Sequence, residues 1–322
     1  MIALGALILL LLAFGFAFAL GAHYAGACMG MADAARATSR RRLLLIMAPL
    51  TFLGAALAGE RVERTVGHDL LLHGHLPIPL AASIIGVAFL LTSLFTALRI
   101  PVSVSQIVIF ASVGTGLAAG ASIEWGTVGL FVLIWALTPI ATGLLAYLLV
   151  RTLHRRWPVR ALYLMRSPPA LMALIGLGAL TSFMLGANDV SNATGALLLG
   201  GRSTATMAAL VGGLGMGLGA FLFGDRLIGR MSQEVVDLDP PMAASAQLAQ
   251  SAVLFGVVLA GFYTSVNQAL MGALLGVGYG RHRSRIRWTV VRHILIEWGT
   301  GPVTAAALAA ATTGLLRWAG IG

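Results

Sequence analysis

The sequence predicts an all-α polytopic membrane protein of two inverted-topology repeats, each with about five transmembrane helices, and with broken or half helices at the midplane. Three observations predict this class: scarce charge, many long apolar runs, and motifs that recur at a nearly constant offset. Hydrophobic residues make up 58% of the 322 residues and charged residues 10%, and the mean hydropathy is +0.92. A soluble domain carries about 25% charged residues. A soluble enzyme, a nucleic-acid-binding module and a disordered protein are therefore excluded.

Ten apolar runs are long enough to predict membrane spans, because a crossing helix needs about 20 apolar residues. They cover residues 2–30, 43–59, 79–98, 103–122, 126–150, 169–200, 203–223, 242–262, 264–280 and 289–316. The first run lacks a basic n-region and is too long for a signal peptide, so we expect a retained first helix.

The basic residues predict the orientation of the chain. All 21 are arginines, and sixteen of them fall in loops that face inward if the N-terminus is outside. These loops are 31–42, 99–102, 151–168, 224–241 and 281–288. Because inner loops of membrane proteins are enriched in Lys and Arg, we expect both termini outside and an integral, multi-pass protein of the plasma (inner) membrane. The net charge of +10 then reflects orientation and not nucleic-acid binding.

The two halves of the chain repeat each other at offsets of 162 to 165 residues. The recurrences are Gly21-Ala22 with Gly186-Ala187, Leu53-Gly54-Ala55 with Leu218-Gly219-Ala220, Ser103-Val104-Ser105-Gln106 with Ser265-Val266-Asn267-Gln268, and Trp125 with Trp288. Residues 1–160 form repeat 1 and residues 161–322 form repeat 2. Five spans are an odd number, so the second repeat is inverted relative to the first. This architecture is typical of secondary transporters, although pores can also be built this way.

A polar motif interrupts the apolar run that begins repeat 2. Asp189 lies within Gly186–Gly195, and a carboxylate in lipid is costly unless it is paired or binds a cation. With the amide oxygens of Asn188 and Asn192 it forms a set of ligands suited to Na⁺, or Asp189 carries a proton. We expect the flanking glycines to let the helix unwind and offer carbonyl ligands. The alternative is a hydrogen-bonded cluster between helices, without an ion.

Two further polar segments open apolar helices. One runs from Pro101 to Gln106 and the other from Thr264 to Gln268. Free N–H groups and the positive end of a helix dipole bind anions, so two such starts can hold one tetrahedral oxyanion from both sides. The predicted anion ligands are Ser103, Ser105, Gln106, Ser265, Asn267 and Gln268. The alternative is that the serines are ordinary helix caps.

These motifs resemble a known family. Gly-Ala-Asn-Asp-Val-Ser-Asn-Ala at 186–193 is similar to GANDVANA, the signature that the inorganic phosphate transporter (PiT) family carries in both halves. The segment at Pro101 resembles the PVSTTH segment of that family, and the segment at Ser265 resembles its repeat. The resemblance runs from about residue 15 to residue 310. It implies a cation-coupled oxyanion symporter, with coupling ions near the Asn-Asp motifs and the anion near the Ser/Thr helix starts.

The first repeat departs from the family signature. His23 stands for its first Asn, Tyr24 for its Asp and Ala27 for its second Asn. One carboxylate of the family pattern is therefore missing, and the ion stoichiometry of the family is not implied. The altered motif resembles the bacterial sulfate-permease branch of the same superfamily. Sulfate carries no protons and prefers hydrogen-bond donors, so His23 and Tyr24 join the predicted anion ligands and favour sulfate over phosphate.

Two titratable residues are candidates for proton coupling. Glu297 lies in the last span, four residues after His293, and is either a proton-coupling carboxylate or part of a local ion pair. His23 either relays protons, since its unperturbed pKa is near neutrality, or serves as a neutral hydrogen-bonding residue.

The sequence thus predicts a secondary active symporter for an inorganic tetrahedral oxyanion, sulfate in the first place, coupled to H⁺ or Na⁺. The alternatives are a Na⁺-coupled phosphate symporter, an anion channel and a transporter-derived anion sensor. We expect no enzymatic activity, no catalytic residue and no cofactor beyond the coupling ion. The expected partners are the anion and membrane lipid, without nucleic acid, and a homo-oligomer is left open.

Overall fold

A computed structural model describes residues 2–68, 77–156, 163–199, 204–229, 234–281 and 286–321. In these ranges the protein is helical, without strands, and one isolated bridge joins Val236 to Ile286. The helices are α1 Ile2–Ala34, α2 Arg40–His68, α3 Ile78–Ala97, α4 Val104–Ala119, α5 Trp125–Arg156, α6 Pro168–Leu199, α7 Ala205–Phe223, α8 Asp225–Ile228, α9 Pro240–Leu259, α10 Val266–Arg281 and α11 Trp288–Trp318.

Eight of the described helices are long and apolar enough to cross a membrane: α1, α2, α3, α5, α6, α7, α9 and α11. The protein is therefore an integral multi-pass membrane protein. Two of the ten expected spans are shorter than a full crossing, because α4 and α10 have 16 residues each. At 1.5 Å per residue they reach about 24 Å. Each begins behind a non-helical polar stretch, as expected for half helices.

The two half helices belong to two matching hairpins. Hairpin 1 consists of α3, residues 98–103 and α4, and hairpin 2 of α9, residues 260–265 and α10. The turns after α3 and α9 are alike: Ile100 N donates to Phe95 O (2.8 Å), and Phe262 N donates to Val257 O (3.1 Å). Arg99 (φ 59°) and Gly261 (φ 77°) occupy the same left-handed position, as is common where a helix ends in this kind of turn.

Helices of the two halves contact each other in matching pairs. α1 packs on α7, and α6 packs on α2 in the same way. A Cβ atom at Gly21 would collide with the carbonyl oxygen of Met216, and one at Gly186 would collide with that of Thr51. Met216 and Thr51 are themselves related by the offset of 165 residues. Glycine therefore permits the same close backbone approach twice.

Corresponding helices of the two halves run in opposite directions. Tyr24 of α1 faces Asp189 of α6, whereas an added Cβ at Gly178 of α6 would lie 2.9 Å from the carbonyl oxygen of Cys28 of α1. Moving toward the end of α1 thus means moving toward the start of α6, as inverted repeats require. The repeat boundary at residue 160 and the outside location of both termini stay predictions.

A group of polar side chains lies inside the helix assembly, and many leucines face outward. Asp189, Asn188 and Gln250 are completely buried, whereas Leu57 is 74% exposed. Exposed leucines are the expected surface where lipid, not water, is the solvent. The buried polar side chains cluster where the two hairpin tips meet α1 and α6, and this cluster is the candidate site.

Candidate functional site

The Asn-Asp motif lies inside an uninterrupted helix. α6 continues from Pro168 to Leu199, and α1 likewise continues through residues 23 and 24. The expected unwinding at 186–195 is therefore wrong. Hydroxyl groups near the motif bond back within the helix, Ser191 Oγ to Asn188 O (3.0 Å) and Thr194 Oγ1 to Val190 O (2.8 Å). The non-helical backbone beside the motif belongs to the hairpin tips instead.

The carboxylate of Asp189 accepts hydrogen bonds from both neighbouring amides. Asn188 Nδ2 donates to Oδ2 (2.9 Å) and Asn192 Nδ2 donates to Oδ1 (2.7 Å). Donors of this kind stabilise a charged carboxylate in a site without water. The amide nitrogens, and not the amide oxygens, thus face Asp189, while Asn192 Oδ1 is buried with no hydrogen-bond partner among the described residues.

Asn188 also fastens the tip of hairpin 2 to α6. Its Nδ2 donates to Thr264 O (2.8 Å), and its Oδ1 accepts from Thr264 N (3.1 Å). The oxygen of Asn188 is therefore engaged, which leaves Asp189 and Asn192 Oδ1 as the oxygens open to an ion. The assignment of Asn188, Asp189 and Asn192 to the coupling ion stays a prediction.

His23 makes the equivalent attachment in repeat 1. Its Nε2 lies 3.3 Å from Val102 O, and its Nδ1 lies 2.9 Å from Thr96 Oγ1. Val102 and Thr264 are equivalent by the offset of 162 residues, as His23 and Asn188 are by the offset of 165. His23 thus contacts hairpin 1 from α1, through Thr96 at the end of α3 and beside Val102 at the tip, at the repeat position where Asn188 holds hairpin 2.

The two hairpin tips are joined directly. Asn267, in the first turn of α10, donates from Nδ2 to Val102 O (2.8 Å), and the same nitrogen lies 3.2 Å from His23 Nε2. The starts of α4 and α10 therefore lie beside one another, as an anion site built from two helix N-termini requires. The first N–H groups of a helix have no partner within it.

Two buried phenols face Asp189. The hydroxyl of Tyr24 interacts with this carboxylate, and so does that of Tyr263, which also faces Ser105. Both side chains are completely buried, and neither hydroxyl has a well-formed hydrogen bond to a described residue. Tyr24 and Asp189 are repeat equivalents. Tyr24, which stands where the family signature has an Asp, therefore faces Asp189, the Asp of the second copy of the motif.

The serines and glutamines at the helix starts differ between the hairpins. Ser103 Oγ lies 3.2 Å from Ser105 Oγ and does not cap α4, whereas Ser265 Oγ accepts from Gln268 N (3.4 Å) and so caps α10. Gln268 is buried and Gln106 is half-buried, and the side-chain oxygens of both lack a partner among the described residues. Their role as anion ligands stays a prediction.

Glu297 lies apart from Asp189, on a cavity at the tip of hairpin 1. This cavity measures about 260 Å³ and is lined by Arg99, Pro101, Glu234, His293 and Glu297, among others. Thr300 Oγ1 donates to Ile296 O (3.1 Å) and lies 3.4 Å from Glu297 Oε2. The carboxyl group faces this cavity beside Pro101 and does not share the contacts of the buried motif. Its proton-coupling role stays a prediction.

Several residues of the site escaped the sequence reasoning. Tyr263 stands where the first repeat has Pro101, and Thr96 stands where the second repeat has Val258. The repeat offset that identified the serine segments also marks these differences, so it offered a signal for both residues. A metal centre of three or more His, Cys, Asp or Glu residues does not occur in the described ranges.

A buried polar site between two hairpin tips of an all-helical membrane protein is typical of secondary transporters. The chain belongs to the phosphate transporter family, whose model matches residues 20–175 and 160–309. The two matches correspond to the two halves of the chain.

The descriptions of the relatives name different anions. A protein of Methanocaldococcus jannaschii described as a phosphate permease is 26% identical over 92% of this chain and 93% of its own. A sulfate permease of Bacillus subtilis is 25% identical over 89% of this chain and 81% of its own. A solved sodium-dependent phosphate transporter shares the fold, with a TM-score of 0.85, 21% identity and coverage of 98% and 99%.

Proposed function

We propose that this protein is a secondary active symporter of a tetrahedral inorganic oxyanion, sulfate in the first place, coupled to H⁺ or Na⁺. One observation carries the proposal: the starts of α4 and α10 meet beside a buried carboxylate, that of Asp189. Helix starts attract an anion, and a buried carboxylate attracts a cation or a proton. Both charges of a symport cycle therefore have a place in one cluster.

The anion is held by donors. The free N–H groups of the first turns of α4 and α10, the hydroxyls of Ser103 and Ser105 and the phenols of Tyr24 and Tyr263 supply them. Sulfate is an acceptor-only anion, and acceptor-only groups are matched by O–H and N–H donors. The replacement of a family carboxylate by Tyr24 removes an acceptor and adds a donor, which supports sulfate.

The coupling follows from charge. A dianion and an ionised carboxylate within one buried cluster repel each other strongly, because water does not screen them. A proton or a Na⁺ at Asp189 removes this repulsion, so each ligand raises the affinity for the other by the same factor. Asp189 and the unpartnered oxygen of Asn192 are the atoms that would receive the cation.

Phosphate is the second candidate, and a specific observation favours it. Asn192 Oδ1 and Asn267 Oδ1 are buried acceptors with no partner among the described residues. At neutral pH phosphate carries a proton that can donate to such an oxygen, whereas sulfate has none. The descriptions of several relatives as phosphate permeases point the same way.

The test is uptake of radiolabelled sulfate and phosphate into proteoliposomes under separate Na⁺ and pH gradients. Wild type is compared with Asp189→Asn and with Asp225→Asn, a control at an exposed carboxylate paired to Arg40. We expect gradient-driven sulfate accumulation in wild type and the control, and loss of accumulation by at least about tenfold in Asp189→Asn.

Each alternative has its own result. Accumulation of phosphate and not sulfate selects the second candidate. Anion flux that never exceeds electrochemical equilibrium indicates a channel, and binding without flux indicates a sensor. If neither anion binds or moves, the proposed function is wrong, and full coupling in Asp189→Asn contradicts the ion site alone.

A further inference from the structure

We propose that His23 is the positioning residue of Asn267: in its neutral form the imidazole accepts a hydrogen bond that orients this amide at the junction of the two hairpin tips. The inference rests on the proposed function, because it assigns how one predicted ligand of the anion is held. It also places His23 in contact with the predicted ligand Asn267 and not with the anion itself.

The direction of each hydrogen bond fixes the tautomer. Thr96 Oγ1 donates its only hydrogen to Thr92 O (2.6 Å), so its oxygen accepts from His23 Nδ1–H at 2.9 Å. In neutral histidine the other nitrogen, Nε2, is then the acceptor. Its donor is Asn267 Nδ2 at 3.2 Å. The chain of donors thus runs from Asn267 through His23 to Thr96 and Thr92.

Both hydrogens of the Asn267 amide are used by this arrangement. One is donated to Val102 O (2.8 Å) and the other to His23 Nε2. The nitrogen is therefore held toward hairpin 1, and the oxygen, which is buried and unpartnered among the described residues, is held on the opposite side of the amide. Without the imidazole one N–H of this amide loses its acceptor, and an unsatisfied buried donor is costly.

Protonation of His23 reverses the bond. A proton on Nε2 makes it a donor, so it can no longer accept from Asn267, and its new N–H faces Val102 O at 3.3 Å. The imidazolium then competes with Asn267 for the same carbonyl oxygen. The titratable group in ring contact with His23 is Tyr24, with centroids 5.3 Å apart, and Asp189 lies beyond it. The contacts from Thr96, Val102 and Asn267 are neutral.

The link has no equivalent in the other repeat. Asn188 fastens hairpin 2 as His23 fastens hairpin 1, but Ser105, the equivalent of Asn267, lies against Ser103 and Tyr263. The symmetry of the fold therefore does not require a bond between the tips. The bond between α1 and hairpin 2 is made by His23 and Asn267, and both of these residues differ from their repeat partners.

The test is a double-mutant cycle on the apparent affinity for sulfate and phosphate, measured by uptake in proteoliposomes at one pH near neutrality. The variants are His23→Leu, Asn267→Leu, the double variant, and His23→Gln, whose amide can donate to Thr96 and accept from Asn267. His293→Leu, at an exposed histidine on the hairpin 1 cavity, is the matched control, and thermal unfolding reports folding of every variant.

We expect His23→Leu to raise KM about tenfold, by analogy with an unsatisfied buried donor, and to have no further effect in the Asn267→Leu background. His23→Gln should restore KM to within about twofold of wild type, as His293→Leu should. Additive effects, or a His23→Gln variant with the raised KM of His23→Leu, overturn the inference. Absence of binding and transport in wild type would instead refute the proposed function.

Discussion

At the residue scale, the site is defined by one carboxylate and the groups that face it. Asp189 is bonded by two amides, and the phenols of Tyr24 and Tyr263 face it from α1 and from the tip of hairpin 2. Under the proposed function, both hydroxyls are donors that a bound anion can accept from.

Tyr263→Phe tests this role, since it removes one hydroxyl and keeps the ring. We expect KM for the transported anion to rise about threefold to tenfold, the worth of one hydrogen bond. The unfolding temperature should change little, because this hydroxyl makes no well-formed hydrogen bond to a described residue. Uptake kinetics and thermal unfolding measure the two effects. Tyr279→Phe, at an exposed tyrosine on α10, is the control, and an unchanged KM in Tyr263→Phe would contradict the assignment.

At the element scale, the hairpins combine a rigid turn with a free helix start. The turn places Arg99 and Gly261 in the left-handed region, where a side chain costs about 1–2 kcal/mol. Hairpin 2 avoids this cost with glycine, and hairpin 1 bears it with an arginine that lines the cavity beside Glu297. The two tips thus have the same backbone and different chemistry.

Gly261→Val should therefore destabilise the protein by about 1–2 kcal/mol, because a β-branched residue is forced to a positive φ. Gly256→Ala, at a helical position of α9 where an added Cβ meets open space, should be neutral or stabilising. Thermal unfolding in detergent measures both variants. Equal stability of Gly261→Val and wild type would show that the turn relaxes to another conformation.

The sequence predicted much of this element and missed its details for a physical reason. Serine segments, half helices and the Asn-Asp motif are local patterns in the sequence. The repeat offset indicated which segments of the two halves correspond to each other. The continuity of α6 was missed because the hairpin tip, 76 residues further on, satisfies Asn188 through Thr264. Tyr263 and the orientation of the Asn267 amide depend on contacts between the repeats, which no local pattern contains.

At the scale of the whole molecule, the two halves meet along antiparallel α1 and α6. Glycines at equivalent positions allow the backbones to approach closely, in the manner of small-residue contacts between membrane helices. Cys28, the single cysteine of the chain, is buried in this interface and interacts with Ser182 of α6.

Ser182→Cys should therefore form a disulfide with Cys28 under mild oxidation and join the two halves covalently. We expect both thiols to disappear in a maleimide-labelling assay and to return with reductant. Gly176→Cys, two turns earlier on α6 with open space around its Cβ, should keep its thiols. Two free thiols in oxidised Ser182→Cys would contradict the apposition of α1 and α6.

The two repeats share a backbone fold but differ in the side chains of the site, and this difference has an energetic consequence. In a protein with two identical inverted repeats, exchanging their conformations would give inward-open and outward-open forms of equal free energy. In this protein His23 of repeat 1 corresponds to Asn188 of repeat 2, Tyr24 to Asp189, and Arg99 to Gly261. Exchanging the conformations of the repeats therefore changes the free energy. Under the proposed transport cycle, the resting population is then biased toward one side of the membrane by residues within the site itself, and sequence differences such as these set the direction of that bias.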